Sequence, residues 1–160
     1  MDLRPSLPAL AFAVAVAGCG SQSSSGAVSA SDGATLYACA TETRAPPYMP
    51  GMHETSASGT YVATLMASVP APPIQGNDTW TVQIATAAGA PAGGLTIGVV
   101  PFMPDHGHGT SIQAIVTDQG SGVYQMAPLY LFMEGYWTIT LNLQGGSAAP
   151  DSVMFPVCIP

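Results

Sequence analysis

In "TWTVQIA" (79–85), Trp80, Val82 and Ile84 alternate with Thr79, Thr81 and Gln83, and in "GYWTITLNL" (135–143), Trp137, Ile139, Leu141 and Leu143 alternate with Thr138, Thr140 and Asn142. A β-strand turns successive side chains to opposite faces, so this two-residue period describes strands with one packed face and one wet face. Weaker strand patterns cover 60–68, 95–103, 111–117, 123–132 and 152–159. Between them lie "PAPPIQGN", "AAGAPAGG", "DQGSG", "MEG" and "QGGSAAPD", which carry the Gly, Pro, Asn and Asp that turns require. No long stretch shows a helical period free of Gly and Pro, so no helix is expected in the folded body. Seven short strands at this spacing predict an all-β, immunoglobulin-like antiparallel β-sandwich. In "DQGSGVY" (118–124) the acidic residue, glycines and tyrosine match a tyrosine corner, which gives Tyr124 a structural role.

The chain has 160 residues, enough for one domain of ordinary size. Charged residues are 7 % and apolar ones 48 %, a balance that excludes disorder of the whole chain. Arg4 and Arg44 are the only basic residues, and the formal net charge is −7. Nucleic-acid binding needs several Lys or Arg to neutralise phosphates, so it is excluded, and no basic patch is available for anionic lipid.

Membrane attachment is expected from another source. Arg4 followed by "LPALAFAVAVAG" (7–18) reads as a signal peptide, because the apolar run is well short of the roughly 20 residues needed to cross a bilayer. Val16-Ala17-Gly18-Cys19 resembles a bacterial lipobox, which implies that residues 1–18 are removed and that Cys19 becomes the lipidated N-terminus. Gly20 after the cysteine implies sorting to the outer membrane, with the domain facing the periplasm or the cell surface. Residues 19–34 then form a lipidated cysteine with a Gly/Ser tether, and 35–160 the sandwich. With Cys19 acylated, Cys39 and Cys158 remain, one near each end of the folded region. In an oxidising compartment they are expected to pair, the alternative being two buried free thiols.

"PFMPDHGHGT" (101–110), followed by "SGVYQMAPLYLFMEGYWTITL", resembles the YtkA-like (FixH-like) domain over about residues 59–143. The likeness lies in a Met-Pro and His-containing turn, a glycine-tyrosine strand and the hairpin Met133-Glu134-Gly135-Tyr136-Trp137. It implies a small extracytoplasmic β-sandwich, in a family some of whose members are associated with copper handling or oxidase assembly and which has no established catalytic residues.

Histidines at i and i+2 in extended backbone project to one side, so His106 and His108 can offer two imidazoles to one ion, with Gly107 and Gly109 letting the chain close around it. Two strands separate this turn from the hairpin at 133–135, so both are expected at the same end of the sandwich. Met133 is then a third candidate ligand, with Met103 and Asp105 as local ones. Thioether plus imidazole suits copper, whereas structural zinc prefers thiolates, which are unavailable with Cys19 acylated and Cys39 paired with Cys158. A second candidate set is His53 with Met52 and Met49, expected at the opposite end unless the Pro/Gly segment folds back. The plainer reading makes Asp105 and the histidines a polar turn and the methionines core filler.

No catalytic constellation assembles. "HETSA" (53–57) lacks the second histidine of a zinc-protease helix, there is no Gly-x-Ser-x-Gly elbow or phosphate loop, and the acidic residues are scattered. Two functions remain. One is a membrane-anchored lipoprotein that binds a copper ion for carriage or buffering, with a copper donor or acceptor protein as partner; the other is a metal-free structural or partner-binding lipoprotein.

Overall fold

The computed structural model describes residues 39–146 and 148–160. The expected signal peptide (1–18), Cys19 and the tether to residue 34 lie outside the described residues. Nine strands follow one another: β1 (Met52–Thr55), β2 (Tyr61–Val69), β3 (Gly76–Thr86), β4 (Thr96–Met103), β5 (His108–Gly109), β6 (Ile115–Gly120), β7 (Val123–Leu131), β8 (Gly135–Gln144) and β9 (Asp151–Ile159). They form a five-stranded sheet in the order β1-β2-β3-β7-β6 and a four-stranded sheet in the order β5-β4-β8-β9, with every pairing antiparallel. The chain changes sheet after β3, after β5 and after β7. The fold is the expected all-β, immunoglobulin-like sandwich.

Alternation builds the core. Trp80, Val82 and Ile84 of β3 and Trp137, Ile139 and Leu141 of β8 are fully buried, while the residues between them face outward. Trp80 meets Phe155 of β9 edge-to-face across the two sheets, with ring centres 6.0 Å apart. Tyr124 anchors the crossing between β3 and β4: its hydroxyl donates to Ala92 O at 2.8 Å and accepts from Leu95 N at 2.9 Å. The role is structural, as expected, but the partners lie on another loop rather than a few residues upstream, so this is not a local tyrosine corner.

Two sequence expectations differ from the structure. There are nine strands rather than seven; β1 and β5 are four- and two-residue edge strands, too short to show a period. The strand expected at 111–117 starts at Ile115, since residues 111–114 are bends or irregular. Cys39 and Cys158 form a disulfide with a Cα separation of 5.5 Å. Because it closes a 119-residue separation, the chain-entropy model gives it a stabilisation of about 4 to 5 kcal/mol.

Strand directions define two poles. At one lie the ends of β2, β4, β7 and β9 and the starts of β3 and β8; at the other lie the starts of β2, β4 and β7 and the end of β8. The first is called the histidine pole below.

Candidate metal centre at the histidine pole

The turn after β4 is tight. Met103 O accepts hydrogen bonds from His106 N at 3.2 Å and Gly107 N at 2.9 Å, and Gly107 takes φ +68°, a left-handed conformation that favours glycine. The chain then doubles back as β5, pairing His108 with Met103 and Gly109 with Phe102. Gly109 runs so close to β4 that a Cβ there would sit 2.6 Å from Pro101 O. Sequence and sterics together thus fix the backbone path through His108.

The ring lies in an aromatic recess. It stacks on Phe132 with centres 5.3 Å apart and meets Trp137 edge-on at 6.3 Å, while His106 lies 5.7 Å away. Trp137 Nε1 donates to Met133 O at 2.9 Å, which holds the β7–β8 hairpin beside the histidines. The hairpin and the histidine turn therefore share one end, as strand counting expected. Two imidazoles bound to one ion through nitrogen at roughly 2 Å have centres roughly 5 to 6 Å apart, and the observed spacing falls in that window. His108 Nδ1 is buried and has no hydrogen-bond partner. An orphaned buried nitrogen of this kind costs about 1 to 3 kcal/mol unless a water or an ion satisfies it.

The other candidate ligands fare differently. Met133 is partly buried against the core at this pole. Met103 is 2 % exposed, packed in the core with its methyl 2.7 Å from where a Cβ on Gly135 would stand. Asp105 is exposed and held by Arg44, whose two Nη atoms each donate to one carboxylate oxygen at 2.6 Å. The guanidinium beside it holds the Asp105 carboxyl below the usual carboxylate range. No group of three His, Cys, Asp or Glu capable of holding a metal occurs among the described residues. A site here therefore has to draw on thioether sulfur or keep a low coordination number.

The second candidate set does not converge. His53 lies on β1 opposite Thr64, alongside the middle of β2 rather than at the far pole, because the chain ahead of β2 folds back as an edge strand. Met52 turns inward against the core while His53 turns outward, and Met49 is 65 % exposed. Adjacent strand residues face opposite ways, so Met52 and His53 are not presented to one ion.

Sequence reasoning missed Arg44, Phe132, Tyr136 and Trp137 as parts of this site. The signal for Arg44 was available, since it is the only lysine or arginine between residues 39 and 160. Phe132 was available too, because it adjoins Met133, which strand counting had already placed here.

A family model described as YtkA-like matches residues 57–142, close to the span over which the resemblance was read. No curated protein and no solved structure matches the chain.

Proposed function

The chain belongs to the YtkA-like family, and from that premise we propose that it is an extracytoplasmic lipoprotein whose sandwich binds copper at His106 and His108 for carriage or buffering. One observation carries the reading: the buried, unpartnered Nδ1 of His108 in a recess shared with His106. A water would satisfy that nitrogen; so would a soft cation, which would also recruit the second imidazole. Anchorage through Cys19 rests on the likeness of "VAGC" to a lipobox, and it places the ion near a bilayer, where a donor or acceptor protein would exchange it.

The experiment is a copper titration of the intact protein beside a His106→Ala, His108→Ala double variant. One equivalent bound by the wild type and none by the variant is expected. Equal stoichiometry and affinity in both would remove this turn as the site.

A second reading, a metal-free module that binds a partner protein, is favoured by a different observation. On the outer face of the four-stranded sheet, Val100, Phe102 and Met154 are 47 %, 39 % and 44 % exposed. Their register partners are Thr140 and Thr138, and the outward positions of β4, β8 and β9 from 96 to 102, 138 to 142 and 152 to 156 carry no charged side chain. An uncharged apolar face of this kind is where a monomer meets a partner. The copper titration decides between the two readings.

A further inference from the structure

The two sheets turn different outer faces to solvent. On the five-stranded sheet the outward residues that register side by side are polar, His53 with Thr64 and Gln83 in one row and Thr81 with Gln125 and Thr117 in another. On the four-stranded sheet the rows are Phe102 with Thr138 and Pro156, Val100 with Thr140 and Met154, and Gly98 with Asn142 and Ser152. Followed along the strands, two apolar lines emerge, Val100 and Phe102 on β4 and Met154 and Pro156 on β9. Between them β8 contributes Thr138 and Thr140, which are only part-exposed, whereas Val100, Phe102 and Met154 stand out into solvent. Adjacent strands lie about 4.8 Å apart, so the apolar lines are about 10 Å apart with a shallow threonine furrow between them.

Covering this face costs little. It desolvates no charged side chain, and Thr138 Oγ1 already donates to Phe102 O at 3.3 Å within the sheet. Its neutrality also says what can cover it. The chain has a formal net charge of −7, so a basic partner is steered to the acidic surfaces, whereas a second copy meets like charge wherever carboxylates face it. On this face two copies meet without opposing charges. The pattern is also self-complementary, because an apolar line has the furrow it needs on an identical face, and sheets pack face to face about 10 Å apart by interdigitating side chains in this way.

We propose that the outer face of the four-stranded sheet is a homodimer interface, in which a second copy related by a two-fold axis lays one apolar line into the threonine furrow of the first and receives the same in return. The inference rests on the partner-binding reading of this face and names the partner; it holds whether or not the histidine pole carries an ion. A patch three strands wide and three rows long measures about 300 Å² in plan, which puts the interface at the small end of specific ones. The dimer is therefore a weak, reversible one, with a dissociation constant on the order of 10 to 100 μM.

Sedimentation equilibrium of the intact protein in density-matched neutral detergent tests this, since every form compared carries the same N-terminal region. The wild type is expected to dimerise in that range, and Val100→Glu with Met154→Glu to weaken the dimer more than about tenfold. Gln83→Glu with Gln125→Glu adds the same charge to the other sheet and should stay within about threefold of the wild type. Val100→Thr with Met154→Gln adds no charge and should still weaken the dimer at least about threefold, which keeps the test decisive if the glutamate variant has a lowered thermal midpoint. A wild type that stays monomeric up to about 1 mM overturns the homodimer, leaving this face to a different protein and the copper titration to decide the reading it rests on. A dimer that survives the Val100 and Met154 changes, or that both glutamate pairs weaken equally, overturns the assignment of the interface to this face.

Discussion

The two poles of the sandwich differ in where polar atoms are left without partners. Far from the histidines, polar groups are matched: Asp151 accepts from Ser58 N, Ser58 Oγ and Ser152 N, Asp118 accepts from Gly94 N and Gly120 N, and the Tyr124 hydroxyl both donates and accepts. Burial raises the Asp151 carboxyl, but the hydrogen bonds it accepts outweigh that and bring it down to about 2. Toward the histidine pole lie all four buried side-chain atoms that lack a partner among the described residues: Ser68 Oγ, Asp78 Oδ2, Trp80 Nε1 and His108 Nδ1. One end is built to hold the fold closed. The other carries unmet hydrogen-bonding capacity, which stable cores avoid and sites for water or ions employ.

If the histidine pole is held by covalent closure rather than by polar matching, Cys39→Ser with Cys158→Ser should give the largest loss, about 4 to 5 kcal/mol in denaturant unfolding. A loss below about 1 kcal/mol would show that this pole packs well enough without its bridge. The matched pole is probed by Tyr124→Phe, which strands Ala92 O and Leu95 N and should cost about 2 kcal/mol while leaving copper titration unchanged. A change in copper binding there would mean that the two ends are energetically coupled.

The smallest effect concerns Asp78, which is 1 % exposed. Burial pushes its carboxyl up to about 6 against a single backbone hydrogen bond from Ile74. A carboxyl raised in the folded state is best accommodated when protonated. Its stabilising contribution is full below about pH 4 and is lost as the pH rises through about 6. Asp78→Asn keeps an acceptor for Ile74 N and removes the desolvated charge, so it should stabilise the protein on the order of 1 kcal/mol at pH 8 and hardly at all at pH 4. Thermal midpoints measured across that range check it, and a gain independent of pH would assign the effect to something other than ionisation.

Legibility followed the length of each element. Strands β3 and β8 run for 11 and 10 residues with Trp at buried positions, so their period stood out. Strands β1 and β5 did not, because four and two residues cannot display a period and their place is fixed by partners distant in sequence. The disulfide was legible from cysteine counting, since one of three cysteines was set aside by its place in "VAGC". Strand counting brought the histidine turn and the Met133 hairpin together; for His53 it gave the far end unless the segment ahead of β2 folded back, and that segment does fold back, as edge strand β1. The Arg44 and Asp105 pair was illegible for a different reason. It joins residues 61 apart across two loops, and only side-chain geometry brings them together.

The disulfide has a mechanical consequence. The bridge ties Cys39 to the last strand, β9, at the end where the imidazoles stand, so tension arriving from upstream of residue 39 passes covalently into β9 and loads the β8–β9 ladder lengthwise. Edge strand β1 is bypassed and cannot be unzipped by such a pull. A tether on that side would also orient the molecule, with the imidazole recess toward the point of attachment and the Asp151 end outward.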